Sequence, residues 1–266
     1  MNSCSNCSGL SKQKNGFWKN LIVKGHTFVF ALKFIPNRRV FWRFVRGYIR
    51  VNLFRKEQIR FVELFVTLAC NGRCPFCSNG KFSDMKGNLS LEKYLELIDE
   101  CAELNVPVIC LIGGEPLLYP GLNKLIERIQ QRGISSMVAT NGYLLSEEKI
   151  KELAKYGLAN ITISLHSLDE SVHDSILGLP GAYRRAFQAG EDCKKYGISF
   201  QLASVVGHRD FVDGSFDKLV RFVEDKKIRL SINPLIPTGH ATSQKENLLT
   251  FADVKKLNEV SMASNY

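Results

Sequence analysis

From residue 60 onward the chain alternates between two hydrophobic periods. Apolar, β-branched runs of strand length fall at 61–68, 107–112, 134–139, 160–165, 198–206 and 228–233. Between them, apolar residues recur at the spacing of an amphipathic helix over 90–104, 121–132, 146–156, 182–196 and 214–226. Ser90 and Ser146 stand where two of these helices need an N-cap. The strands end in Gly, Asn, His or Pro, as strand-to-helix loops do. A last amphipathic stretch, 250–262, predicts a C-terminal helix. Six strands alternating with helices predict an α/β fold with parallel strands, either a barrel or an open doubly wound sheet. In such folds reactive groups belong at the C-terminal ends of the strands.

The first sixty residues read differently. Residues 1–16 are polar, Ser/Asn-rich and predicted to be disordered, with a lone Cys4/Cys7 pair too small to complete a metal site. Residues 21–36 are apolar but interrupted by Lys24, His26 and Lys33, and a spanning helix needs about 20 clean residues. No small-residue cleavage site marks a secretory signal. Beyond Pro36, the positions of Arg39, Arg43, Arg46 and Arg50 align as one stripe of a helix. The other faces carry Phe41, Trp42, Phe44, Val45, Tyr48 and Ile49. An Arg stripe opposite bulky aromatics suits the boundary between lipid headgroups and acyl chains. The competing expectation is a helical element that packs its aromatic faces on the body and leaves the arginines in water.

Charge sharpens this division. The net charge is +10, with 36 Lys+Arg against 26 Asp+Glu. Residues 1–60 hold 13 of those cations and one acid, Glu57, so the rest of the chain is slightly acidic. The basic character belongs to the N-terminal segment, and no nucleic-acid partner is expected because no RNA or DNA module accompanies it. The expected organisation is a disordered 1–16, a basic amphipathic arm over 17–58, a barrel over 59–241 and a C-terminal helix over 242–266. An anionic membrane surface is the expected partner of 17–58, giving a cytoplasmic protein peripheral at the inner face of the membrane.

The unusual residues fall at the strand ends. The first strand runs into Cys70-Asn71-Gly72-Arg73-Cys74-Pro75-Phe76-Cys77. Three thiolates on a tight loop can bind three irons of a [4Fe–4S] cluster and leave the fourth open. A zinc site is the alternative, with Cys101 or Cys110 as fourth ligand, although both positions read as core. The second strand ends in Gly113-Gly114-Glu115-Pro116, where paired glycines allow close backbone approach and a carboxylate could hold an amine.

Together these motifs resemble the radical SAM superfamily, over roughly residues 60–240. The resemblance implies an incomplete (β/α)6 TIM-type barrel with the cluster at its open mouth and S-adenosyl-L-methionine (SAM) bound to the unique iron. Carried over residue by residue, Cys70, Cys74 and Cys77 are the cluster ligands. Phe76 neighbours the adenine, and the turn Gly113, Gly114, Glu115 and Pro116 binds the methionyl amine. Thr140 and Asn141 at the third strand end, Ser164 at the fourth, and Leu235 and Ile236 after the sixth complete the cofactor contacts. His166 is a candidate to face substrate. The branch with peptide maturases and molybdopterin-type enzymes is the nearest in pattern, but Leu177 stands where that branch commonly has an Arg. Arg184 or Arg185 could take its place. His173, His208, Arg209 and Asp210 read as solvated loop residues. With no Cys after Cys193, a single cluster is expected.

The implied reaction begins with an external one-electron donor such as a flavodoxin or ferredoxin. Reductive cleavage of SAM then gives a 5′-deoxyadenosyl radical that abstracts a substrate hydrogen. The leading expectation is a lipid-linked or membrane-proximal substrate. A ribosomal peptide or small metabolite is the alternative, and a non-catalytic Fe–S or zinc protein is the rival from another class.

Overall fold

The computed structural model describes residues 38–79 and 89–263, so the expectations for 1–16, Trp18 and 21–36 lie outside the described residues. The described chain begins with α1 (Arg38–Asn52). There follow β1 (Val62–Thr67), α2 (Leu91–Glu103), β2 (Val108–Gly113), α3 (Leu122–Gln131), β3 (Ser135–Thr140) and α4 (Glu147–Lys155). The second half contains β4 (Asn160–Ser164), α5 (Glu170–Leu177), α6 (Ala182–Lys195), β5 (Ser199–Val206), α7 (His208–Val212), α8 (Ser215–Lys226), β6 (Leu230–Pro234) and α9 (Phe251–Ala263). All five strand pairings are parallel, in the order β1-β2-β3-β4-β5-β6. This is the open, partial barrel that the family resemblance implied, where the alternation of patterns alone allowed an open doubly wound sheet as well.

Local chemistry sets the element limits. The Ser90 and Ser146 hydroxyls accept from the N–H of Lys93 at 3.3 Å and of Lys149 at 3.2 Å, capping α2 and α4. Helix α5 has no counterpart in the sequence-based expectation. Eight residues are too short for a clear helical period, yet Asp169 caps its start and Gly178, at φ 66°, its end.

One face of the sheet buries Val66, Ile109, Leu111, Val138, Ile161, Ile163 and Leu202 against the helices. Each such side chain contributes about 1.5–3 kcal/mol. Register puts the alternate residues on the concave face. Phe65 lies opposite Ile112, Cys110 opposite Met137, Thr162 opposite Gln201, and Ser164 opposite Ala203. This face turns polar toward β6: Gln201 donates to Thr162 Oγ1 at 3.0 Å, and Ser231 and Asn233 continue the row. The C-terminal strand ends form the mouth, and the helix-to-strand turns form the floor.

Helix α1 lies on the floor, with its stripe turned differently from either expectation. Arg43 faces the barrel and donates to the carbonyls of Ala102 at 2.7 Å, Arg132 at 2.8 Å and Gly133 at 3.1 Å. These oxygens close the C-terminal ends of α2 and α3, where the helix dipoles favour a cation. Val40 and Gly47 are buried beside it. In return Asn105 Nδ2 donates to the Arg43 carbonyl at 3.2 Å, and Gln58 Nε2 donates to Leu104 O and Asn105 O. The aromatic residues divide: Phe41, Phe44 and Val45 are half-buried, whereas Trp42 is 55% exposed.

Candidate active site at the strand ends

The cysteine loop follows β1 directly and is held from four directions. From β2, Gly114 N–H donates to Thr67 O and Glu115 N–H to Ala69 O, both at 2.8 Å. A methyl at Gly114 would stand 2.3 Å from Ala69 O and one at Gly113 2.2 Å from Thr67 O. The paired glycines therefore admit the cysteine loop itself against β2. From β3, Asn141 Nδ2 donates to Asn71 Oδ1 at 2.7 Å. From α5, the Leu177 carbonyl accepts Arg73 N–H at 2.8 Å. From beyond β6, His240 N–H donates to Cys77 O at 3.0 Å and Gln244 Nε2 to Pro75 O at 2.8 Å. His240 Nδ1 also lies 3.3 Å from Cys74 O.

Within this frame Cys70 is exposed and Cys74 and Cys77 are half-buried. Burial, then the charges of Cys77 and Cys70, pushes the Cys74 thiol up to about 12. Burial also raises Cys70, with Cys77 a further cause. Three cysteines on one short loop suit a centre that binds them as thiolates and spreads their charge over several irons. Asn71 Nδ2 is buried within the same loop and has no partner among the protein atoms, a donor aimed at something other than protein. Zinc fits less well. Cys101 sits near the floor end of α2, and Cys110 lies mid-strand opposite Glu63, so neither reaches the loop. Among the described residues no three His, Cys, Asp or Glu side chains converge as one metal ion requires.

Glu115 is fully buried. Its Oε1 accepts from Leu117 N–H at 3.0 Å and Thr140 Oγ1 at 2.7 Å, and its Oε2 from Asn141 N–H at 2.9 Å. Burial raises its pKa, while these three donors pull the other way. The carboxylate thus ties β2 to β3 and retains one lone-pair direction for a further donor. Thr140 lies beneath the turn, buried, with its hydroxyl committed to Glu115. Pro116 opens a short 3-10 turn. Ser164 ends β4 on the concave face, half-buried. Leu235 is buried, and Ile236 is 55% exposed.

His166 stands beside the loop, its ring edge-on to Phe76 with centroids 4.8 Å apart. Its Nδ1 accepts from Val205 N–H at 3.2 Å, which puts the ring proton on Nε2. Burial, then His173, pushes its pKa down to about 3. His166 also lines a cavity of about 340 Å³ with Asp169, Val206, Asp210, Phe216 and Lys218. His173 overturns the expectation of a solvated loop residue: it is fully buried in α5 and its Nδ1 accepts from the backbone N–H of His166 at 3.2 Å. Arg209 is exposed, while His208 and Asp210 are half-buried. His208 pairs with Asp253 at 2.8 Å, Arg209 with Glu246 at 3.0 Å, and Asp210 accepts Gly207 N–H. Leu177 is buried with Leu179 and Ala182 against Cys74 and Tyr143. Arg184 pairs with Glu170, and Arg185 stacks 4.4 Å above Tyr143.

Sequence reasoning assigned no role to His240, Gln244 or Asn71, because what each does depends on the distant group it meets: Cys77 O, Pro75 O and the Asn141 side chain.

The AdoMet-dependent heme synthase of Methanosarcina barkeri is 27% identical over 192 residues, covering 70% of this chain and 54% of that protein. The PqqA peptide cyclase of Granulibacter bethesdensis is 32% identical over 160 residues, covering 60% of this chain and 41% of that one. The chain thus spans about half the length of the curated relatives it matches. Crystal structures of Streptococcus suis SuiB share the fold. The form bound to its precursor peptide SuiA has a TM-score of 0.65 at 18% identity, over 83% of this chain and 49% of SuiB. The form bound to S-adenosylmethionine has a TM-score of 0.64 at 18% identity, over 83% of this chain and 51% of SuiB. The sequence model of the Radical SAM superfamily matches residues 64–223, from β1 into α8. The chain belongs to the radical SAM superfamily, with a [4Fe–4S] cluster and S-adenosylmethionine as its cofactors.

Proposed function

We propose that this chain abstracts a hydrogen atom from a peptide or small metabolite that enters through the barrel mouth. The observation that carries the reading is the cysteine loop, held by β2, β3, α5 and the segment after β6 directly beside the Phe76–His166 pair. Cys70, Cys74 and Cys77 would hold the cluster. When bound, cluster and SAM supply one-electron cleavage of the sulfonium C–S bond and hydrogen-atom abstraction. Phe76 offers an aromatic edge to the adenine, and Asn71 Nδ2 an unpaired donor. The turn Gly113–Pro116 holds the loop and leaves Glu115 one acceptor position for the methionyl amine. Thr140 and Asn141 position Glu115, while Ser164, Leu235 and Ile236 border the mouth. His166 presents Nε2–H to the substrate.

A peptide or metabolite is favoured over a lipid chain by the polar concave wall of Thr162, Gln201, Ser231 and Asn233. The peptide named with SuiB and the peptide cyclase among the relatives support the same choice. The electron would come from a flavodoxin- or ferredoxin-like donor. Anaerobic reconstitution, reduction and 5′-deoxyadenosine measurement test the reading, and turnover raised by a soluble peptide fraction but not by a lipid extract supports it. A colourless protein that forms no 5′-deoxyadenosine overturns it.

A second reading concerns α1. Its exposed apolar side chains lie among exposed cations such as Arg46 and Arg50, and favour an anionic membrane surface, at the cytoplasmic face, as a partner.

A further inference from the structure

Helix α1 has two working faces. Val40, Arg43 and Gly47 turn to the floor of the barrel, and Arg43 occupies the carbonyls that end α2 and α3. On the opposite side Trp42, Ile49 and Leu53 form a stripe at helical spacing, exposed by 55%, 40% and 73%. Phe54 and Ile59 extend it, at 60% and 48%. Around these side chains stand exposed Arg38, Arg46, Arg50, Arg55, Lys56 and Arg60, with Glu57 the one acid in 38–60. Apolar side chains collared by cations match an anionic interface, where the stripe enters the acyl boundary and the guanidinium groups meet phosphates.

The place of this face in the fold has a consequence for the substrate. Among the described residues, Arg39 and Arg43 of α1 bond to Gln131, Arg132 and Gly133 just before β3 and to Ala102 at the end of α2, and Asn105 before β2 donates to the Arg43 carbonyl. The cysteine loop, Phe76 and His166 lie at the other end of the same strands. We infer that the outward stripe of α1 seats the barrel floor on an anionic lipid surface, so that the mouth faces away from the bilayer and receives its substrate from the aqueous side. The inference rests on the membrane reading of α1. Failure to bind lipid removes both, whereas SAM cleavage measured without vesicles tests the catalytic reading separately.

The test uses the full reconstituted chain with vesicles of phosphatidylcholine alone or with added phosphatidylglycerol. Sedimentation should show at least about ten-fold tighter binding to the anionic vesicles. The variant Trp42→Ser/Ile49→Ser/Leu53→Ser should fall to the neutral-lipid level. A second variant, Arg46→Glu/Arg50→Glu, should do the same while keeping the apolar stripe. Hydrogen exchange on bound protein should slow across 38–56 and stay unchanged at 70–79 and 235–247. Binding retained by both variants, or protection of the mouth segments, overturns the inference. So does failure to bind, or a vesicle-free dimer that covers Trp42 and assigns the face to a second copy.

Discussion

The N–H of His240 donates to the carbonyl of Cys77 at 3.0 Å, joining the segment after the last strand to the loop after the first. The barrel is open between β1 and β6, so no ladder of backbone bonds spans that gap. This bond and its neighbours close it at the mouth, over the cysteines.

Gly239 makes that closure possible. At φ 55° it occupies the left-handed region, and a methyl there would stand 2.3 Å from Cys77 O and 2.4 Å from Ser78 O. Gly239→Ala should introduce about 1–3 kcal/mol of strain and displace the loop. Iron and sulfide retained after reconstitution should drop well below wild type, while far-ultraviolet circular dichroism stays unchanged.

The eight cysteines should divide sharply. Replacing Cys70, Cys74 or Cys77 with Ala should abolish the cluster's visible absorption and SAM cleavage together. Cys101→Ala should leave the iron content at wild-type level, because Cys101 packs against the core near the floor.

His166 should leave a signature in stability against pH. Its folded pKa is pushed down to about 3 from 6.5, so the unfolded chain takes up the proton first as pH falls. The stabilisation is complete above about pH 6.5 and is lost as pH falls toward about 3. Between pH 7.5 and pH 5 the loss should be about 1–2 kcal/mol, moderated because part of the ring remains accessible. Urea unfolding of the cluster-free chain measures it. His166→Asn keeps an acceptor for Val205 N–H and should remove this component.

Arg43→Ala should lower stability by about 1.5–3 kcal/mol, since it strips a charged partner from three helix-end carbonyls. Arg43→Lys should recover only part, because one ammonium cannot reproduce the planar fork. SAM cleavage per folded chain should not change, as the mouth lies at the other end of the strands.

Much of this was legible in the residues themselves. The strands and the helices that cover them follow from two hydrophobic periods, because a half-buried strand and an amphipathic helix must each turn one face to the core. The C-x3-C-x2-C loop and the GGEP turn could be read as chemistry because their spacing is local. Helix α5 escaped because two turns are too few to reveal a period. His173 looked like a solvated loop residue because only tertiary packing, beside His166 and Tyr183, buries it.

The sequence by itself determined the α/β alternation, the family and the three thiols. Tertiary structure alone decided what the paired glycines meet, that His240 and Gln244 hold the cysteine loop, and that the α1 stripe divides between Arg43 facing the barrel and Trp42 facing out. The reason is physical. Periodicity records which face of an element is apolar, whereas hydrogen bonds between distant backbones, and the partner a face meets, arise only when the strands are set side by side.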